Sequence, residues 1–252
     1  MSADPAEQRE IESPSPLDTF RSAVAELTVF CSTHRKPVID SSALFYPPIG
    51  LALGGVSLAI DQLGRPLGQV GASTAVVLVA TAITGGRPVF GLARSLVAVW
   101  TARADRALDR LSAAPTMAVW VVAALVLGAE ITCLSELVSW RPVGLLFAPL
   151  LGRWSMVVLA VGARAARADG RRVKFAPGVT FREFGWASTV TFAIVFGVAE
   201  FVGVLLGAAA AALSVGTRVA LHRWLDGVTE AMLDALCALV ELGTIVLLVV
   251  MR

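Results

Sequence analysis

Long apolar stretches dominate this 252-residue chain and set the strongest limit on its fold. A helix needs about 20 apolar residues to cross the hydrocarbon core of a bilayer, whereas a soluble domain must keep its exterior polar. Hydrophobic residues make up 56% of the chain and charged residues only 16%, which leaves too little polar surface for a soluble protein of this length. The sequence therefore predicts an all-α polytopic membrane protein, a bundle of about six or seven transmembrane helices.

The apolar stretches divide into spans at glycines, prolines and charged residues. The predicted spans are 43–60, 67–84, 116–137, 143–163, 185–215 and 230–251. The stretch 185–215 is too long for one upright crossing, so we interpret it as two spans broken near Glu200, although the sequence alone leaves their number open. Gly203 and Gly207 form a small-xxx-small pattern that favours close helix contact.

The segments outside the spans are assigned from composition. Residues 1–16 are acidic and rich in Pro and Ser, which predicts a disordered tail, and residues 17–252 are predicted to form a single transmembrane helical domain. Within that domain, residues 17–39 carry an apolar helical stripe but are too short and too charged to span. We expect this segment to lie at the cytoplasmic interface or to pack under the bundle.

Basic residues are distributed unevenly between the two sides of the predicted bundle. With the N-terminus inside, seventeen of the 21 basic residues fall in the cytoplasm, while Arg65, Arg141 and Arg252 fall outside. Positive charge in short loops favours the cytoplasmic side. This predicts a cytoplasmic N-terminus and a multi-pass location in the bacterial inner membrane.

Ionisable residues inside the apolar stretches are costly and therefore informative. They are Glu130, Glu136, Arg153, Glu200, Asp234 and Glu241. Glu136 and Glu200 are predicted near span ends. Glu130 and Arg153 lie at similar depth on adjacent antiparallel spans, which makes a buried ion pair plausible.

The remaining chemistry-bearing residues exclude several classes of function. The three cysteines lie far apart, there are only two histidines, and no spacing suggests a metal, redox or nucleophile site. The basic loops are explained by topology, so no nucleic-acid partner is expected, and the lipid bilayer is the expected surrounding.

Three stretches, taken in order, resemble the cobalamin synthase family (adenosylcobinamide-GDP ribazoletransferases). Residues 20–31 and 45–56, FRSAVAELTVFC and FYPPIGLALGGV, are similar to its opening helix and first span. Residues 84–99, TGGRPVFGLARSLVAV, resemble the pattern TGGxHxDGLADxxDGx. Residues 224–242, WLDGVTEAMLDALCALVEL, resemble the signature that opens the last span.

The resemblance implies a membrane enzyme that joins adenosylcobinamide-GDP and α-ribazole phosphate in cobalamin biosynthesis, with release of GMP. Attack on a pyrophosphate calls for Mg²⁺ held by carboxylates. The positions that match the family, and that the resemblance implies for substrate binding, are Gly85, Gly86, Gly91, Gly227 and Thr229.

This chain differs from the family pattern at the family's acidic positions. Pro88 stands where the family has His, and the three Asp positions hold Phe90, Arg94 and Val97. A later Asp corresponds to Ala113, and the Gly-Asp pair of the last signature corresponds to Glu230-Ala231. No metal site is therefore assigned.

These departures leave three hypotheses. The first is a catalytically degenerate family member that acts as a membrane scaffold or partner subunit and binds at most a corrinoid or a membrane protein. The second is an active Mg²⁺-dependent transferase that uses displaced carboxylates at Glu230, Asp234 and Glu241, which the spacing i, i+4, i+11 places on one helix face. The third, the weakest, is a small transporter built on Glu130, Arg153 and Glu200.

Overall fold

The computed structural model describes residues 15–30, 42–101, 111, 115–163, 167–168, 171–172, 179–225 and 227–251. The predicted tail, apart from its last two residues, lies outside this part of the chain, as do Ala113 and most of the basic loop at 164–182. The described chain is helical, apart from two paired two-residue strands, β1 (Arg167–Ala168) and β2 (Arg171–Arg172).

Eight α-helices form the described architecture, in the order α1 (Pro16–Leu27), α2 (Tyr46–Gly64), α3 (Gly68–Thr84), α4 (Arg87–Thr101), α5 (Met117–Glu136), α6 (Arg141–Ala160), α7 (Phe181–Leu225) and α8 (Glu230–Val250). Short 3₁₀ turns precede α2 at Ala43–Phe45 and join it to α3 at Arg65–Leu67. The predicted spans are confirmed as helices, with ends that differ by a few residues except at 185–215, where the helix continues ten residues further, to Leu225.

Five helical segments in the described chain are long and apolar enough to cross a membrane. They are Ala43–Thr84, Met117–Glu136, Arg141–Ala160, Phe181–Trp224 and Glu230–Val250. The first and fourth are about twice the length of one crossing. Each folds back on itself, so seven helical segments of crossing length result, in agreement with the expected six or seven.

The first long segment folds back between α2 and α3. A Cβ on Gly64 would lie 3.0 Å from the Cα of Ala72, so the two helices touch directly beside the turn. The turn itself ends at Gly68, whose φ of 76° suits a residue without a side chain. The separation of spans 43–60 and 67–84 is thereby confirmed.

The second long segment, α7, is interrupted at the residue where the sequence predicted a break. Glu200 has φ 45° and ψ −123°, outside helical geometry. The two arms then pack on each other, since a Cβ on Gly203 would lie 2.3 Å from the carbonyl oxygen of Val195 and one on Gly207 would lie 3.0 Å from the Phe192 ring. The small-xxx-small prediction is confirmed, and its partner is the preceding arm of the same helix.

Helix α6 forms the centre of the bundle. In its most apolar window 83% of the residues are buried, against 22% for α5 and 28% for α7. Glycines allow the neighbouring helix to approach it closely, because a Cβ on Gly50 or Gly54 of α2 would meet carbonyl oxygens of α6 at 2.6 Å. Close contact through small residues is how helices associate where lipid removes the hydrophobic driving force.

The outer surface of the bundle is apolar. Large exposed side chains include Leu63 (81%), Met117 (81%), Leu125 (67%) and Phe201 (70%), on three different helices. Such a surface would aggregate in water but is stable against lipid tails. The chain is therefore a multi-pass membrane protein whose surroundings are the lipid bilayer.

A buried ion pair lies at the end of the bundle where α6 begins. Arg141 donates to Asp61 at 2.6 and 2.8 Å, to the hydroxyl of Ser73 at 3.0 Å and to the carbonyl oxygen of Leu134 at 2.5 Å. The sequence assigned Arg141 to a loop, but it is the first residue of α6 and is only 9% exposed. Four hydrogen bonds tie α2, α3, α5 and α6 together here.

Candidate functional site

The central family-like motif lies at the turn between α3 and α4. Gly85 and Gly86 both adopt left-handed backbone angles, with φ 64° and 68°, and their N–H groups donate to Ala82 (3.2 Å) and Thr81 (2.8 Å). This is a helix C-terminal cap that glycine fills without strain. The two glycines expected to contact substrate therefore have a conformational role in this chain.

Gly91 brings together the two stretches, on α4 and at the start of α8, that resemble the family's signatures. A Cβ at this position would lie 2.5 Å from the Cβ of Asp234 and 2.9 Å from the carbonyl oxygen of Ala231. Helix α4 thus packs backbone to backbone on the first turns of α8. Val89, Leu92 and Ala93 share an apolar cluster with α8 that extends this contact.

The four positions that the resemblance aligns with the family's His and Asp contribute packing groups and one cation. Pro88 is buried, and the Phe90 ring packs edge to face on Trp120 of α5 with centroids 4.8 Å apart. Val97 packs against the same apolar cluster. Arg94 is half-buried, and its Nε finds no hydrogen-bond partner within the described chain.

The start of α8 carries the remaining family-matching residues. Gly227 and Thr229 are buried, and Thr229 is the N-cap residue of α8. Its side chain makes no capping hydrogen bond, and its buried Oγ1 has no partner among the described residues. Glu230 follows it and is exposed at the bundle end.

Sequence reasoning missed a polar cluster, here called the Glu26 cluster, at the same end of the bundle. It consists of Glu26, Ser42, Tyr46, Arg87, Glu230 and Asp234. Glu26 accepts hydrogen bonds from Tyr46 and Ser42, the latter at 3.4 Å, and Arg87 donates to the backbone carbonyl of Glu26. The signal available in the sequence was weak, a lone Glu on the polar side of α1.

Electrostatics within the Glu26 cluster are mixed. Burial raises the pKa of the Glu26 carboxyl above its usual value, and the nearby Glu230 raises it further, while the hydrogen bonds and Arg87 oppose the shift. Asp234 lies within electrostatic reach of Arg87, Glu230 and Glu26. Two of the three predicted candidate acids, Glu230 and Asp234, are therefore close to each other.

The third candidate acid, Glu241, lies deeper and is paired. Its carboxylate forms an ion pair with Arg153 of α6, and both side chains are largely buried. Gly152 makes this possible, because a Cβ there would lie 2.8 Å from the Cγ of Glu241. The expected Glu130–Arg153 ion pair is wrong: Glu130 interacts with Arg153 only at longer range, because helix rotation directs the guanidinium towards α8.

The described residues do not fit the metal centre that the resemblance implied. Within the described ranges, no group of three or more His, Cys, Asp or Glu side chains is placed to hold a metal ion. Glu230 and Asp234 share their surroundings with Arg87, and Glu241 is bound by Arg153. A carboxylate neutralised by a guanidinium is a poor ligand, because the divalent ion would have to displace or approach that positive charge.

Compared with known proteins, the chain matches the family described as cobalamin-5-phosphate synthase over residues 19–251. The match extends from α1 to the end of α8 and so includes all seven crossing segments. No curated protein and no solved structure matches the chain.

Proposed function

The chain belongs to the cobalamin-5-phosphate synthase family, and we propose that it is a member that kept the membrane bundle and lost the catalytic chemistry. It then acts in the bacterial inner membrane as a scaffold or partner subunit. It binds a corrinoid or a membrane protein of the same biosynthetic route without turning substrate over.

The pairing of Glu241 with Arg153 is the observation that carries this proposal. Phosphoryl-group chemistry on a pyrophosphate needs carboxylates free to hold metal ions that neutralise developing charge. Glu241 is the acid that reaches deepest into the bundle among the three candidates on α8, and its charge is already satisfied. The pair binds α6 to α8 and serves the packing of the bundle.

The residues at the acidic positions of the motif support the same conclusion. Phe90 is engaged with Trp120, and Val97 belongs to the apolar contact between α4, α5 and α8. Neither can coordinate a metal. Arg94 adds positive charge on the helix where the family places carboxylates, which would repel a divalent ion.

Complementation of a strain that lacks its cobalamin-5-phosphate synthase tests the proposal in cells. We expect no cobalamin-dependent growth when this chain is expressed in the membrane at the level of a family member with an intact acidic motif. The intact member, expressed from the same vector, is the positive control. Restored growth would overturn the proposal.

A second candidate, an active transferase with displaced carboxylates, is favoured by one observation. Glu26, Glu230 and Asp234 come within electrostatic reach of one another at the bundle end where α4 meets α8. In that case Glu230→Gln would abolish Mg²⁺-dependent release of GMP. Gln69, at the opposite end of α3 beside Leu137, supplies a control position, since Gln69→Ala would leave such activity unchanged.

A further inference from the structure

Helix α4 is too short to cross a bilayer. Its 15 residues extend over about 22 Å at 1.5 Å per residue, against a hydrocarbon core of about 30 Å. Residues 102–116, which follow it, carry five charged side chains, and this composition excludes a crossing there. The end of α3 at Thr84 and the start of α5 at Met117 are therefore on the same side of the membrane, and α4 lies at that side.

Packing places the first half of α4 at the boundary between the membrane and water. The Phe90 ring contacts Trp120, three residues after the start of α5, and Gly91 packs on Ala231 and Asp234 in the first turns of α8. This half of α4 is thus level with the ends of two crossing helices. Because Trp120 is itself exposed, the lipid-facing surface of α5 extends as far as α4.

The second half of α4 presents an exposed apolar face. Leu96, Val99 and Trp100 are all exposed, Trp100 at 91%, and their i, i+3, i+4 spacing places them on one side of the helix. Arg87 and Arg94 lie about 160–180° round the helix from Leu96, so the charged side and the apolar side are separate. An amphipathic helix of this kind fits an interface between water and an apolar phase.

Three features favour the bilayer over a protein as the partner of this face. The first half of α4 already lies at the membrane boundary, where lipid is present without any further partner. Tryptophan favours the level of the headgroups, because its ring is apolar and its N–H is polar. Residues 95–102 include no charged side chain, so this part of the chain can enter the leaflet without burying a charge.

We propose that the second half of α4 docks into the headgroup region of the adjoining leaflet, with Leu96, Val99 and Trp100 against the upper part of the lipid chains. The partner is the lipid surface, and the apolar face of α4 at interfacial depth recognises it. The connection between α3 and α5 is then anchored in the membrane surface along part of its length. The proposal does not depend on the proposed loss of catalysis.

Quenching of tryptophan fluorescence in nanodiscs tests this proposal. The contribution of Trp100 is the emission of the unaltered protein minus that of Trp100→Phe. Lipids brominated near the headgroup end of their chains should remove most of this contribution, and aqueous iodide should remove little. Stronger quenching by iodide would show that the helix projects into water, and stronger quenching by lipids brominated at the chain ends would place it in the hydrocarbon core. Protection from all quenchers would show a protein partner; each of these three results overturns the proposal.

Two relocated tryptophans exclude a local disturbance caused by Trp100→Phe. In that background, Leu96→Trp keeps the probe on the apolar face and should again be quenched most by the lipid brominated near its headgroup. Thr101→Trp is the matched control, because residue 101 is exposed but lies about 140° round the helix from Leu96. Its emission should be quenched more by iodide. The same quenching pattern at both positions would show that α4 has no lipid-facing side and would contradict the proposal.

Discussion

At the scale of single residues, the depth of a side chain in the membrane could be predicted, but the side of the helix to which it points could not. Glu130 on α5 and Arg153 on α6 lie 11 and 12 positions from the loop at Arg141. They are therefore at similar depth, which suggested that they form a pair. The partner is instead Glu241, because Gly152 lets α8 approach α6 closely on the side to which Arg153 points. Helix rotation is set by such packing contacts and is not visible in hydropathy.

Removing one partner of the Arg153–Glu241 pair should cost more than removing both. Glu241→Leu leaves a buried cation without its counter-ion and should lower the free energy of unfolding by about 3–5 kcal/mol. Arg153→Met combined with Glu241→Leu should recover much of that loss. Glu130→Leu removes a carboxylate at similar depth that interacts with Arg153 only at longer range, so it is the comparison and should cost less. Arg153→Met alone completes the cycle. Unfolding in detergent is measured for the unaltered protein and for each variant, and additive losses of the two single substitutions in the double variant would refute the coupling.

The Glu26 carboxyl should make stability depend on pH. Because burial raises its pKa above the usual 4.5, the folded state binds the proton more tightly than the unfolded state. Its favourable contribution is therefore complete below about pH 4.5 and is lost as the pH rises through the raised folded value. The Tm of the unaltered protein minus that of Glu26→Gln should decrease between pH 4 and pH 8. A difference that is constant across this range would contradict the assignment.

At the scale of helices, the span pattern followed from hydropathy and length alone. The break at Glu200 could be predicted because no single helix of that length fits a bilayer. The attachment of α1 could not, since it depends on particular contacts: the Val29 N–H donates to Ile83 at 2.9 Å, and Phe20 packs edge to face on Phe45. The Glu26 cluster depends on that attachment, which is why the sequence did not reveal it.

The hairpin of α7 should depend on the small residue at its contact point. Gly203→Ala places a methyl group against the Val195 carbonyl and should destabilise the protein by about 1–3 kcal/mol. Gly197→Ala, which meets nothing within 4 Å, is the control and should be neutral or slightly stabilising, as expected for alanine in a helix. Equal effects of the two substitutions on unfolding in detergent would contradict the hairpin packing.

At the scale of the whole molecule, the predicted topology places alternate bundle ends on opposite sides of the membrane. Arg103, which is not among the described residues, and Arg171 would each be replaced by cysteine. Cysteine labelling in intact cells should place both positions in the cytoplasm. The buried Arg141 is unsuitable for labelling, but the neighbouring Val138 is 64% exposed and should react from outside. Residues 103 and 138 on the same side would contradict the seven-span arrangement.

The candidate site could be predicted in part. The three stretches that resemble the family identified α4 and the start of α8, and Gly91 joins these two elements. A linear sequence pattern does not reveal which partner each carboxylate has in the folded protein. Glu241 falls on the helix face expected of a ligand, yet the structure pairs it with a cation that lies 88 positions earlier in the chain.

The proposed loss of catalysis is tested most directly by the activity of the purified protein in detergent or nanodiscs. Release of GMP from adenosylcobinamide-GDP and α-ribazole phosphate would be measured with Mg²⁺ and with EDTA, beside a family member with an intact acidic motif. We expect no Mg²⁺-dependent release, and none after Val97→Asp, because ligands that act together are not rescued one at a time. Release of GMP that EDTA and Glu230→Gln both abolish would contradict the proposal and establish an active transferase.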